Sequence, residues 1–325
     1  MKFLIIGYGS IGQRHCKNLD NILKNKKNII ICRKPGEERV PGFTTFFNLN
    51  DALSEKPDAS IIAVPTNLHI PIALKCAKAG THLFIEKPLS NNLKGAKELA
   101  GLVRQKNLVV MIGCDMRFNP GLKKIKELIG KSSVGKIISA ISQVGQYLPD
   151  WRPGVKYQNV YSAKKSLGGG VVLDLIHELD YLYWFFGGAQ SLVSFVDKSS
   201  SLKIDTEDNA DILLKFKNNI KANVHLDYIQ RCPRRTCQII GEKGTIFWDC
   251  HKNSVDIYTS ERGWKSFIFK NFEPNDVYID EMRHFIACIK KKRTPLIDLK
   301  QGIEVLKIAL AAKEFPTGDR AIKLF

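Results

Sequence analysis

Short, almost uninterrupted apolar runs punctuate the first 118 residues, at Lys2–Ile6, Asn28–Cys32, Ala59–Val64, His82–Ile85 and Leu108–Ile112. Runs of that length without polar alternation predict strands covered on both faces, as in a parallel sheet. Helix-periodic stretches lie between most of them, at Ile11–Leu23, Asp51–Glu55, Leu68–Lys78 and Leu93–Lys106. Strand and helix in alternation predict right-handed crossovers and an α/β domain. After Asn119-Pro120 the pattern changes. A helix is predicted over Leu122–Leu128, then strands over Lys136–Gln146, Asp208–Lys217, Ile220–Gln230, Thr236–Asp249, Val255–Thr259 and Trp264–Phe269. Polar and apolar residues alternate there, as His225 and Asp227 do against Val224, Leu226 and Tyr228, which predicts antiparallel strands with one buried face. Asn218-Asn219 and Glu242-Lys243-Gly244 sit where hairpin turns belong. Further helices are predicted over Val172–Phe186, Asp276–Lys291 and Lys300–Lys313. The expected organisation is two domains, an α/β domain over 1–118 and an α+β domain with a large antiparallel sheet over 119–325. The last helix has the option of packing back on the first domain.

Composition narrows the class. Hydrophobic residues at 44% and charged residues at 25% describe a globular chain rather than a disordered one. The opening run Met1–Ile6 is cut short by Gly7 and Gly9, too early for a signal-peptide core. The most apolar stretch, Val171–Phe186, carries Asp174, His177, Glu178 and Asp180, so a membrane helix is not expected. A cytoplasmic protein is expected, with its eight cysteines as reduced thiols. Cys232 and Cys237 have no histidine cluster or second pair beside them, and no metal is expected. The formal charge of +18 would attract phosphate-bearing ligands, or it reflects a bias toward lysine spread along the chain. No helix-turn-helix, zinc-finger or aromatic RNA-binding signature accompanies it, so nucleic acid is not an expected partner.

Gly7-Tyr8-Gly9-Ser10-Ile11-Gly12 fits G-x-G-x-x-G, and it closes an apolar strand and opens a helix, the context that gives the pattern meaning. Gly7 permits the tight turn, Gly9 lets the backbone approach a pyrophosphate, and Gly12 lets helix and strand pack closely. The helix N-terminus offers free N–H groups to the anion. The second strand ends in Arg33-Lys34, with Arg33 21 residues beyond Gly12. NAD sites usually place an acidic residue there for the ribose hydroxyls. A cation instead suits a 2′-phosphate, which favours NADP over NAD, unless both cations merely project into solvent.

Three further segments join the glycine turn: Val64-Pro65-Thr66-Asn67-Leu68-His69, Gly80-Thr81-His82-Leu83-Phe84-Ile85-Glu86-Lys87-Pro88, and Gly168-Gly169-Gly170 running through Asp174, His177 and Asp180. Together they resemble the glucose–fructose oxidoreductase, inositol dehydrogenase and rhizopine-catabolism family (Gfo/Idh/MocA), over essentially the whole chain. The resemblance implies a Rossmann domain followed by a domain with a large, mostly antiparallel open sheet, and a homo-oligomer joined through that sheet. It implies that Pro65, Thr66, Asn67 and His69 line the cofactor loop, with Glu86 near the nicotinamide ribose and Lys87 beside the reacting carbon. A cis bond before Pro88 is expected on the same ground.

Asp174 and His177 would face the substrate, at i and i+3 on one helix face, and the triple glycine before them would let the chain pass close to a ligand. Many members place the histidine four residues after the aspartate, which leaves Asp180, one turn from His177, as an alternative orienting partner. The implied reaction moves a hydride between the nicotinamide and a sugar carbinol or carbonyl carbon. His177 is the natural base, Lys87 the stabiliser of the alkoxide, and Asp174 a support for either the imidazole or a sugar hydroxyl. Arg117 is read as a substrate contact or as one partner of an interdomain salt bridge. Trp151 and Arg152 are read as sugar-facing, toward an anionic, phosphorylated or nucleotide-linked amino sugar. Two rival functions remain open: a dinucleotide sensor without catalysis, and a glycosidase that uses bound NAD for transient oxidation.

Overall fold

Phe3–Ile6, four consecutive apolar residues, form β1 and are buried along their whole length. The computed structural model describes residues 1–314 and 322–324. From β1 the chain runs through α1 (Ser10–Leu23), β2 (Ile29–Cys32), β3 (Thr44–Phe46), α2 (Leu49–Ser54), β4 (Ala59–Ile62), α3 (His69–Ala79), β5 (His82–Glu86), α4 (Ala96–Gln105) and β6 (Val110–Gly113). The six strands make one sheet in the order β3-β2-β1-β4-β5-β6, and every pairing is parallel. The strands β1, β2, β4 and β6 are buried at every position, as a sheet covered on both faces requires. The order reverses beside β1, where β2 lies on one side and β4 on the other. Ligands in open α/β sheets bind outside the carboxyl ends of strands at such a reversal.

Asn119 and Pro120 start α5 (Pro120–Gly130). The Asn119 side chain accepts hydrogen bonds from the Gly121 and Leu122 amides, and proline at the first turn donates none of its own. Then follow β7 (Ile137–Gly145), α6 (Val171–Asp174), α7 (His177–Phe186), β8 (Ala189–Asp197), β9 (Asn209–Phe216), β10 (Lys221–Asp227), β11 (Arg234–Gly241), β12 (Gly244–Asp249), β13 (Ser254–Thr259) and β14 (Gly263–Ile268). The chain ends with α8 (Asp276–Lys291), α9 (Leu299–Glu314) and β15 (Ile322–Lys323). The second sheet has nine strands in the order β14-β13-β12-β11-β7-β10-β9-β8-β15, antiparallel except where β7 meets β10. Asn219 adopts a φ of 60° in the β9–β10 turn, a conformation asparagine tolerates.

Residues 1–115 and 275–306 form one compact unit, and 116–274 with the chain from 307 onward form the other. The expected second domain, 119–325, extends beyond the described residues at 315–321 and 325. β3 and β8 were not expected from the sequence, nor was β15. The predicted helix Val172–Phe186 is two helices, α6 and α7, separated at Leu175, whose φ and ψ are −96° and 31°. Asp174 therefore ends one helix and His177 begins the next, which corrects their expected placement on one continuous helical face.

In the second unit, one sheet face is buried. The opposite face carries exposed Phe195, Leu213, Ile141, Phe247, Tyr258, Trp264 and Ile268. Trp264 packs on Phe247 and Tyr258 with ring centroids 5.8 and 5.3 Å apart. Among the described residues no helix is long and apolar enough to cross a membrane.

Candidate active site

In the first unit the sequence-predicted residues gather at the carboxyl ends of β1, β4 and β5. Gly7 holds a φ of +91°, and a Cβ there would lie 2.3 Å from the Ala63 carbonyl oxygen at the end of β4. A Cβ on Gly12 would lie 2.2 Å from the Gly7 carbonyl oxygen, so the first turn of α1 sits directly on the bend. Gly9 is different. It is exposed, and a Cβ there would meet nothing within 4 Å. The space over Gly9 is open, and no acidic side chain occupies the first turn of α1. That arrangement fits a pyrophosphate, whose charge suits the N–H groups at the helix start.

Ser10 is exposed, and Ile11 is partly buried beside it. The Arg33 guanidinium lies 5.7 Å from the Tyr8 ring centre. Its Nε donates to Glu37 at 2.9 Å, and Nη1 donates to the Glu38 carbonyl oxygen. Lys34 is exposed beside it.

Pro65 and Asn67 are partly exposed, whereas Thr66 and His69 are buried. The His69 ring bridges two loops: Nε2 lies 2.9 Å from the Val64 carbonyl oxygen and Nδ1 2.8 Å from that of Pro88. Burial lowers the His69 pKa, while the two carbonyls oppose that shift. At 1% exposure this ring clamps the 64–69 loop to the Lys87–Pro88 turn. The Lys87–Pro88 bond is cis, and Lys87 is partly exposed. Glu86 points into the interior, with Oε1 2.5 Å from His15 Nε2.

In the second unit Asp174 is 4% exposed and accepts from three hydroxyls. Ser162 donates at 2.6 Å and Tyr228 at 3.1 Å, and the Tyr161 hydroxyl donates to the other carboxylate oxygen. Burial, then the Asp174 charge, raises both phenols well above the ordinary tyrosine range, so both stay hydroxyl donors. Tyr228 also packs edge-on against Trp151, with centroids 5.2 Å apart. No feature near Asp174 in the sequence announces Tyr228, 54 positions away.

The triple glycine also has an internal reason. A Cβ on Gly169 would lie 2.2 Å from the Tyr161 carbonyl oxygen, and one on Gly170, where φ is +113°, would lie 2.2 Å from Glu207 Oε1. At Gly169 and Gly170 the close neighbours are the protein's own atoms, so packing alone already requires glycine there.

His177 is 5% exposed at the first position of α7. Asp180, on the same helix, is taken by Arg117: Nε and Nη2 donate to its two oxygens at 2.8 and 2.7 Å, and both side chains are buried. Arg117 thus forms an ion pair, but within the second unit rather than between domains, and its side chain is fully buried. Glu178, also fully buried, pairs with Arg235 at 2.9 Å. Trp151, Arg152, Tyr157 and Ser162 line a small hollow together with Leu148 and Val160. Trp151 Nε1 donates to the Gln146 carbonyl oxygen at 3.1 Å, while Arg152 is exposed at the rim.

Two family models match the chain. One, described as an oxidoreductase family with an NAD-binding Rossmann fold, matches residues 1–114. The other, the GFO/IDH/MocA C-terminal domain, matches 122–247. The myo-inositol 2-dehydrogenase of Thermotoga maritima is 28% identical, over all of this chain and 98% of its own length. The scyllo-inositol 2-dehydrogenase (NAD(+)) of Bacillus subtilis is 24% identical, over 95% of this chain and 92% of its own. Among solved structures, a levoglucosan dehydrogenase in complex with NADH superimposes with a TM-score of 0.87 at 19% identity, covering 100% of this chain and 99% of that one. That likeness establishes the fold alone.

Proposed function

The chain belongs to the GFO/IDH/MocA oxidoreductase family, and we propose that it is an NAD(P)-dependent dehydrogenase acting on a carbinol or carbonyl carbon of a sugar-like polyol. The open, anion-ready glycine bend at Gly7–Gly12 is the observation that carries the reading. When bound, the nicotinamide accepts or returns the hydride. The remaining work falls to side chains. Lys87 holds the substrate oxygen and offsets the negative charge that grows on it as the proton leaves. His177 takes that proton at a ring nitrogen. Asp174 is a positioning residue, fixed by the Tyr161, Ser162 and Tyr228 hydroxyls.

For the nucleotide we infer NADP over NAD. No acidic side chain ends β2, and Glu37 balances Arg33 until a 2′-phosphate takes its place. For the substrate, the inositol and levoglucosan dehydrogenases among the similar proteins support a polyol. The +18 charge and exposed Arg152 beside Trp151 support an anionic one, phosphorylated or nucleotide-linked. A second copy of this chain covers the apolar sheet face around Trp264, which light scattering would read as a dimer or larger assembly.

The decisive experiment pairs nucleotide titration with a turnover assay, following reduced nicotinamide across inositols, free sugars, sugar phosphates and nucleotide sugars. Oxidation of at least one polyol is expected. Tight nucleotide binding with no hydride transfer to any of them would overturn the proposal in favour of a sensor.

A further inference from the structure

Wholly within the first unit, three side chains from distant parts of the sequence converge: His15 on α1, Glu86 on β5 and Glu281 on α8. Each offers one ligand atom, and these atoms lie within 4.8 Å of one another. His15 and Glu281 are 0% exposed and Glu86 7%. Phe84 walls the site, its ring 5.1 Å from the His15 ring and 5.7 Å from that of Phe285. Tyr278 stands 6.4 Å from His15 on another side.

Glu281 is the unusual member. Among the described residues neither of its carboxylate oxygens has a hydrogen-bond partner, and His15 Nδ1 has none either. A carboxylate sealed from water without donors or a counter-charge is strongly disfavoured. Burial first, and then the acidic neighbours Asp115 and Glu86, push its carboxyl well above the ordinary carboxylate range. Arg14, the nearby cation, lies over the Tyr278 ring at 4.3 Å.

We infer that His15, Glu86 and Glu281 form a binding site for a divalent metal ion that ties α1, β5 and α8 together. A cation there supplies the positive partner that the Glu281 oxygens lack and offsets the neighbouring Glu86 and Asp115 carboxylates. An imidazole with two carboxylates is a donor set suited to zinc or manganese rather than to the softer ions that thiolates select. The role is structural: Glu86 is the last residue of β5, just before Lys87, and the ion fixes that strand end against the two helices. Spacing gave no hint of it, because the ligands are 71 and 195 positions apart along the chain.

The test uses the tag-free full chain and needs no turnover measurement, so it stands apart from the dehydrogenase assay. Elemental analysis and native mass spectrometry of the purified protein are expected to find roughly one zinc or manganese per chain. Removing it with a chelator is expected to lower the melting temperature, and adding Zn²⁺ or Mn²⁺ to restore it. Glu281→Gln, which has the shape of the protonated acid but is a poor metal ligand, is expected to lose the ion and to melt without responding to either. Absence of retained metal, with wild-type melting indifferent to chelator and to both ions, overturns the inference whether or not the variant folds. A Glu281→Gln protein melting at or above wild type would then assign Glu281 as a neutral buried acid.

Discussion

The buried pairing of Asp180 with Arg117 sets up a test of whether Asp180 orients the proposed base His177. Their side chains are 0% and 1% exposed and meet through two hydrogen bonds of 2.8 and 2.7 Å. Arg117→Met keeps much of the volume but leaves the Asp180 charge buried alone, a change that costs on the order of 3–5 kcal/mol. An exposed pair would lose less than about 1 kcal/mol. Arg117→Met combined with Asp180→Leu removes the stranded charge as well, and apolar replacement of both partners is commonly neutral or better.

The four tryptophans, Trp151, Trp184, Trp248 and Trp264, all lie in the second unit. The Trp184 ring centre is 5.8 Å from the Arg117 guanidinium carbon. Tryptophan fluorescence in urea therefore reports on the unit that holds the pair. The single variant is expected to unfold at a midpoint lower by on the order of 1 M, and the double variant close to wild type. Turnover then separates the roles. A stable double variant with kcat/KM within about threefold of wild type makes the pair structural. A stable double variant slowed by about 100-fold or more, the scale of a lost general base, would refute that reasoning and reinstate Asp180 as the partner that orients His177.

Lys87→Ala is expected to lose turnover while keeping nucleotide affinity, read by fluorescence titration; full activity would remove Lys87 from the chemistry. In His177→Ala, added imidazole is expected to restore part of the rate, and an unchanged pH–rate profile would argue against a base at that position. Arg33→Ala is expected to weaken NADP binding far more than NAD binding, whereas equal losses would show that the guanidinium does not read a 2′-phosphate. His225, hydrogen-bonded to Asp227 and Asp211, has its pKa raised to about 9. A raised pKa stabilises the fold fully below the unfolded value near 6.5, and that contribution fades as pH climbs through 9. Melting of the second unit is expected to decline over that window, and His225→Gln to flatten the decline.

Much of the fold is legible because its signals are local. β1, β2 and β4 are continuous apolar runs, and α5 announces itself through Asn119 and Pro120. Each miss has a physical cause. β3 has only three residues, one of them exposed. β8 exposes Phe195 and buries Ser194, so its period is blurred. The break between α6 and α7 is silent because both helices are buried nearly all round, which leaves no polar face to mark a change of direction. The glycine bend, Lys87 and His177 could be named from motifs. The hydroxyls that hold Asp174, the pairing of Asp180 with Arg117 and the His15–Glu86–Glu281 cluster could not, since each joins side chains that only the tertiary fold brings together.

Between the last residue of β7, Gly145, and the first of β8, Ala189, no strand intervenes. Trp151, Arg152, Tyr161, Asp174 and His177 all lie on that one stretch of short helical turns. β7 and β10 run side by side in the same direction, so the chain must leave the sheet before it can return. The proposed substrate-facing residues thus share one contiguous segment, braced from outside by Tyr228 and inserted where the scaffold already demands a detour. If those residues read the substrate, evolution or an engineer can change what is accepted by exchanging that segment while leaving the β-ladder on either side of it in place.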